Sequence, residues 1–164
     1  MQDPHEVVAP YAREGMVVLE PGPGMGFFTL EIARLVGSSG RVTAVDLQPR
    51  MLSNLKRRAG KAGFEDRLDA RLAAPDSLNI DDLHGTFDFT LAFALVHELP
   101  AVEPFFREVA RASKKGAGLL FAEPAGPVKP PDFETELNAA IHAGFELVER
   151  PTIRRSHTAF LKKT

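Results

Sequence analysis

Short apolar runs alternate with amphipathic stretches along most of this chain. Residues 16–20 (MVVLE) form a β-branched run bounded by Gly15 and by Pro21-Gly22-Pro23-Gly24, which reads as a strand entering a turn. Phe28, Ile32, Leu35 and Val36 then share one helical face, which Gly37 and Gly40 end. Arg41–Asp46 reads as a second strand. Pro49 opens a helix striped by Leu52, Leu55, Ala59 and Ala62, with Lys56, Arg57, Arg58 and Lys61 on a solvated face.

A weaker third strand falls at residues 69–73 and a stronger fourth at Phe87–Phe93. Phe105, Val109 and Ala112 mark a helix that begins near Pro100 and ends at Gly116. Residues 117–123 (AGLLFAE) read as a fifth strand. Residues 132–143 read as a helix capped by Asp132 and stopped by Gly144. The tail holds two runs, Phe145–Glu149 and residues 157–161, with no helix-length segment between them. They must therefore be antiparallel to each other.

Alternation of strands and helices calls for a parallel sheet covered on both faces. In such sheets ligands bind outside the carboxyl ends of the strands. That rule directs the search to residues 20–26, Asp46, residues 73–76, residues 93–97 and Glu123.

Composition narrows the picture. A chain of 164 residues fits one domain over its whole length, with residues 1–15 as a cap segment. The net charge of −2 gives no basic excess, which argues against nucleic acid as a partner. The chain has no cysteine, so disulfides and thiolate metal sites are excluded, and no metal is expected. The polar start lacks the features of a signal peptide, and no apolar run approaches the roughly 20 residues of a membrane span. A cytoplasmic protein without membrane contact is the expectation; nothing in the sequence bears on oligomeric state.

The strongest chemical signal is the stretch VVLEPGPGMGFFT, residues 17–29. A strand ends at Glu20 and runs into Gly22-Pro23-Gly24-Met25-Gly26, which opens a helix. Glycines let the backbone turn sharply and let a ligand approach it, and a helix N-terminus offers free N–H groups to a carboxylate or phosphate. A dinucleotide fingerprint, G-x-G-x-x-G, fits poorly. Counted from Gly22 its third glycine would be Phe27; counted from Gly24 it would be Thr29. Asp46 ends the second strand 20 residues after Gly26, where a carboxylate can accept both ribose hydroxyls. Leu47 follows and is placed to pack on an adenine face. The alternative for Asp46 is a cap of the following turn.

The order Glu20-x-Gly22-x-Gly24-x-Gly26 resembles the first motif of class I S-adenosylmethionine-dependent methyltransferases, an acidic residue followed by G-x-G-x-G. The departures are Glu in place of the commoner Asp, and Pro23 where many members carry a small residue. The resemblance runs from Met16 to about Lys162 and includes the antiparallel last strand. It implies a doubly wound, mostly parallel seven-stranded Rossmann-like sheet with an antiparallel C-terminal strand and helices on both faces. It also implies S-adenosylmethionine as cofactor, held by Glu20, Gly22, Gly24, Gly26, Asp46 and Leu47. Beyond the third strand Ala74 stands where the family often has an acid, so Asp76, or the main chain of Ala74 and Asp76, would read the adenine, with Pro75 between them also at the cofactor. The alternative for Asp76 is a cap of a helix over residues 78–83. Phe93 and Ala94 would lie nearest the methionine part.

His97 is the best-placed general base, since imidazole titrates near neutrality, and it is the expected catalytic residue; the alternative is a structural histidine. Glu98 is its rival, and Glu123 could line the acceptor pocket. Arg154 and Arg155 could meet an anionic acceptor or simply be a solvated hairpin turn. The activity implied is methyl transfer to an unidentified small molecule. Two readings stand beside it: a non-catalytic cofactor-binding accessory or sensor domain, and an NAD(P)-dependent oxidoreductase.

Overall fold

The β-branched runs form strands and the 3.6-periodic stretches form helices close to where the pattern puts them. The computed structural model describes residues 2–164. The chain divides into two compact units, one closing at Asn79 and one spanning Ile80–Thr164. Among the described residues the first holds three strands and the second four.

The first unit holds α1 (Pro4–Val8), β1 (Val17–Pro21), α2 (Thr29–Val36), β2 (Arg41–Asp46), α3 (Pro49–Lys61) and β3 (Leu68–Leu72). Its strands are parallel in the order β3-β2-β1. Val42, Thr43, Ala44 and Val45 of β2 are all buried. Successive strand residues point to opposite faces, so this sheet is covered on both sides, as the apolar run demanded. In α3, Leu52, Leu55 and Ala59 are buried, whereas Ala62 lies past the helix end and is exposed. The segment expected to be only a cap contains α1. The Asp3 side chain accepts the His5 N–H at its start, and Val7 and Val8 are buried. His5 Nδ1 lies 2.7 Å from the Glu31 carboxylate, which joins α1 to α2.

The second unit holds β4 (Phe87–Phe93), α4 (Val102–Ala112), β5 (Ser113–Pro124), α5 (Pro130–His142), β6 (Phe145–Glu149) and β7 (Ser156–Lys163), with strand order β4-β5-β7-β6. β5 runs parallel to β4, and β7 is antiparallel to both β5 and β6. The antiparallel C-terminal strand is thus present. Leu119 to Glu123 are buried without interruption, so both faces are covered here too. Phe121 meets Phe106 of α4 edge-on at 5.5 Å between centroids, and stacks on Phe133 of α5 at 4.8 Å.

Three local expectations are corrected. Gly116 does not end α4, because the helix stops at Ala112 and the Ser113 hydroxyl bonds back to the Val109 carbonyl at 2.7 Å. Gly116 lies instead in a bulge of β5, between the Phe87–Ser113 and Phe89–Gly118 pairs, with φ +81°. Asp132 does not cap α5. Two prolines open that helix after Lys129, pre-set in φ and needing no N–H partner, so Asp132 falls in the first turn. Residues 78–83 form no α-helix; only the single 3₁₀ turn Asp81–Leu83 occurs there, and Asp76 caps nothing.

Candidate functional site

The first unit brings its sequence-marked residues to one end of adjacent parallel strands. Pro21 pairs with Val45, and Gly22 N–H continues the ladder to the Val45 carbonyl at 2.8 Å. Asp46 pairs with Leu72, and Ala73 N–H reaches the Asp46 carbonyl at 2.9 Å. The glycine turn, Asp46 and Ala73 therefore stand in a row, one strand spacing of about 4.8 Å apart.

Gly24 has φ +56°, and a Cβ built on it would meet nothing within 4 Å. The glycine is required there by the backbone, and the space over it is open. Gly26 differs: φ is +86°, and a Cβ would lie 2.6 Å from Leu55 Cδ1 of α3. One glycine leaves room in front of the turn; the other lets α3 close in behind it. Arg58, expected on a solvated face, donates to the Met25 carbonyl at 3.0 Å and holds the turn from the α3 side.

Glu20 is 3% exposed and accepts the Thr29 hydroxyl, which ties the end of β1 to the start of α2 across the turn. Burial pushes its carboxyl up to about 7, against the opposing hydrogen bond from Thr29. Glu20 thus points into the protein and braces the turn. Asp46 Oδ1 accepts the Gln48 N–H at 2.9 Å, so the carboxylate does close the local turn. Its other oxygen has no hydrogen-bond partner among the described residues, which leaves it open to an outside donor. Met25, Phe27, Leu47 and Leu72 are large apolar side chains left exposed, all in the turn after β1 or at the carboxyl ends of β2 and β3. Large apolar side chains left exposed together are uncommon on a protein surface away from interaction sites.

At Ala74, where the adenine is expected to be read, the main chain closes a tight turn. Its N–H donates to the Ser77 carbonyl at 2.9 Å and its carbonyl accepts the Ser77 N–H at 3.3 Å, so the main chain of Ala74 is engaged in closing a tight turn. Pro75 and Asp76 are exposed at the tip of that turn.

The second unit holds Phe93, His97 and Glu123. Phe93 ends β4 half-buried, and Ala94 follows with φ +54°, a left-handed conformation costly for a residue with a Cβ. Glu123 has a side chain with no exposure, and it is fully engaged. Its Oε1 accepts the N–H groups of Leu95 and Val96 at 3.1 and 2.9 Å. Its Oε2 accepts the His97 N–H at 3.1 Å and the His97 Nδ1–H at 2.5 Å. With Nδ1 donating, Nε2 is the free acceptor of a neutral imidazole that is 26% exposed. Glu98 Oε1 is 3.9 Å from Nε2, beyond hydrogen-bonding distance. Glu123 is thus a strand-end anchor of the loop after β4. Arg154 and Arg155 are exposed, and Arg155 has φ +58° at the hairpin.

The sequence reading missed three groups. Arg58 stands in the basic run with no site role in the sequence reading, and Thr29 is given no role there. Glu136 is 8% exposed, and its Oε2 has no hydrogen-bond partner. Its signal was present: it interrupts the apolar stripe Phe133, Leu137, Ala140 of α5.

A family model described as a methyltransferase domain matches residues 12–161. A ubiquinone biosynthesis O-methyltransferase from Methylocella silvestris is 33% identical over 119 residues, 73% of this chain and 43% of that protein. An arsenite methyltransferase from Aquipseudomonas alcaligenes is 29% identical over 121 residues, 71% of this chain and 35% of that protein. The chain thus spans less than half the length of these curated relatives. A crystal structure of an S-adenosylmethionine-dependent methyltransferase from Aquifex aeolicus superposes with a TM-score of 0.85 at 23% identity, over 99% of this chain and 90% of that one.

Proposed function

The chain belongs to the methyltransferase-domain family, and from that premise we propose that it binds S-adenosylmethionine and transfers its methyl group to a small-molecule acceptor. The observation that carries this reading is the row formed by the Gly22–Gly24–Gly26 turn and Asp46, with open space over Gly24. The residues fit the group. The turn before α2 offers main-chain N–H groups and a helix N-terminus to a carboxylate. The second oxygen of Asp46 is free for a ribose hydroxyl, and Leu47, Met25 and Pro75 offer apolar cover for a purine. Gly22 and Gly26 shape the turn, and Glu20 and Arg58 hold it.

When bound, S-adenosylmethionine supplies a methyl group already activated on a cationic sulfur. The protein's task is then chiefly to orient the nucleophile, an effect worth roughly 7–11 kcal/mol in well-aligned reactions. His97 takes or orients the acceptor's proton through Nε2, while Glu123 holds Nδ1–H and keeps the ring in one tautomer. Phe93 lines the methionine part. Small acceptors are favoured because the segments between the named strands and helices are short, the longest being residues 73–86. The names of these two relatives also refer to small molecules. The expected setting is the cytoplasm.

Isothermal calorimetry with S-adenosylmethionine, its demethylated product and NAD tests the cofactor. The first two should bind and NAD should not; tight NAD binding with no response to S-adenosylmethionine overturns the reading.

A further inference from the structure

Two segments meet at the carboxyl end of β5, the side of a parallel sheet on which ligands bind. Residues 124–131 leave that strand, and residues 150–157 form the hairpin that enters β7. Pro124 pairs with Ser156, and the Ala125 N–H donates to the Arg155 carbonyl at 2.9 Å. At the neighbouring register position Glu123 pairs with His157, and Glu123 is the carboxylate that holds His97. Arg155 is therefore bonded two residues beyond Glu123, on the order of 7 Å along the strand. His157 Nε2–H reaches the Val128 carbonyl at 2.9 Å, and Lys129 follows directly.

These two segments hold Lys129, Arg150, Arg154 and Arg155 and no acidic residue, in a chain whose net charge is −2. Arg150 donates to both oxygens of Glu134 at 2.7 and 3.1 Å, so it and that carboxylate satisfy each other. Lys129, Arg154 and Arg155 are exposed, and their side chains make no hydrogen bond or ion pair among the described residues. The hairpin that carries the two arginines is fixed. Ile153 is buried, the Ser156 N–H closes on the Ile153 carbonyl at 3.1 Å, and the Thr158 hydroxyl donates to the Pro151 carbonyl. Arg155 has φ +58°, where glycine or asparagine would bear less strain. Local structure thus gives no reason for an arginine there, whereas its planar fork matches a carboxylate or phosphate.

We propose that Lys129, Arg154 and Arg155 form an anion subsite that makes the acceptor an acidic small molecule, one carrying a carboxylate or phosphate group, with Arg155 determining specificity. This assignment rests on the reading of His97 as the group that handles the acceptor's proton. The cations hold the acid group at the hairpin, and the nucleophile of the same molecule lies toward His97.

The test is an NMR titration of the amides of the whole chain, without cofactor, using phenyl phosphate, benzoate and the neutral benzyl alcohol. About 0.15 M sodium chloride screens diffuse surface attraction. At least one anion should bind saturably and move the amides of residues 125–129 and 153–157, and benzyl alcohol should not. The tighter anion tells phosphate from carboxylate. Arg155→Gly suits the strained position, so it should melt no lower than wild type. It should bind that anion about tenfold more weakly, the loss expected for a charge-assisted hydrogen bond. Should Arg155→Gly not fold, Lys129→Gln, outside the hairpin, decides by the same loss. No saturable response to either anion, an equal response to benzyl alcohol, or unchanged affinity in the folded variant overturns the subsite. The titration needs no S-adenosylmethionine, so a failed subsite is told apart from a failed methyltransferase reading, which calorimetry with that cofactor decides.

Discussion

The carboxylate of Glu123 holds the imidazole of His97 by its Nδ1–H at 2.5 Å, and with it the three successive N–H groups of Leu95, Val96 and His97. A single buried side chain at the end of β5 therefore shapes the loop that leaves β4. Glu123→Ala should leave those donors without a buried acceptor. At about 1–3 kcal/mol for each buried group left unsatisfied, a loss of at least 3 kcal/mol is expected in urea denaturation. Amide exchange at residues 95–97 should accelerate at the same time. Unaltered exchange there would show that the loop is held by something else.

Gly24 and Gly26 should respond differently to the same change. Gly24→Ala meets open space and bears only the strain of φ +56°, so stability should fall by about 1 kcal/mol while cofactor affinity drops sharply. Gly26→Ala drives a methyl against Leu55 at 2.6 Å, so the loss should appear in folding, at about 1–3 kcal/mol beyond the backbone strain. Trimming the neighbour in Gly26→Ala/Leu55→Ala should recover the packing part of that loss. Melting curves and calorimetry on the variants separate the effects; equal binding losses at both positions would contradict the division of roles.

Asp46 combines a turn contact with a free oxygen, and two substitutions separate these. Asp46→Ala should weaken S-adenosylmethionine binding on the order of 30- to 100-fold, from the loss of about 2–3 kcal/mol in charged hydrogen bonds. It should also lower stability by about 1 kcal/mol through loss of the Gln48 N–H contact. Asp46→Asn can keep the turn contact, so its stability should stay near wild type while binding still falls. Full affinity in either folded variant would reduce Asp46 to its turn contact.

Burial of Glu20 makes stability depend on pH in a defined direction. Its carboxyl is raised from 4.5 to about 7 in the folded chain, so between those values the folded state binds the extra proton. The stability contributed by that proton is present below about pH 4.5 and is lost as pH rises through 7. The difference amounts to about 3 kcal/mol. Glu20→Gln removes the dependence, so its stability relative to wild type should improve by about that amount from pH 4.5 to pH 8. Urea melts at the two pH values measure it; parallel curves would mean that Glu20 has an ordinary affinity in the fold.

Loss of His97 should separate chemistry from binding. His97→Ala is expected to keep cofactor affinity and to lose methyl transfer by about 10²- to 10⁴-fold once an acceptor is in hand. A parallel fall in melting temperature, affinity and turnover would assign the ring to loop structure instead.

Much of this protein was legible in one dimension, because the signals concerned are local. Apolar runs such as Val42 to Val45 can be buried on both sides only as strands within a covered sheet. The three glycines and Asp46 stand at strand ends, where periodicity alone locates them. A hairpin too short for a helix forced β7 to be antiparallel. The corrected points were also local, but each had a competitor that distance along the chain does not weigh. At Gly116 the pairing of β5 with β4 outweighed a helix-stop signal, and at Asp132 two prolines outweighed a cap. What only tertiary structure decided is which polar groups meet. Thr29 finds Glu20, Arg58 finds the Met25 carbonyl, and Glu123 gathers the loop of His97. These partners lie nine to thirty-three residues apart in sequence where their bonds are resolved. Hydrogen bonding and Coulomb forces act over a few ångströms of space, and only the packed core sets those distances.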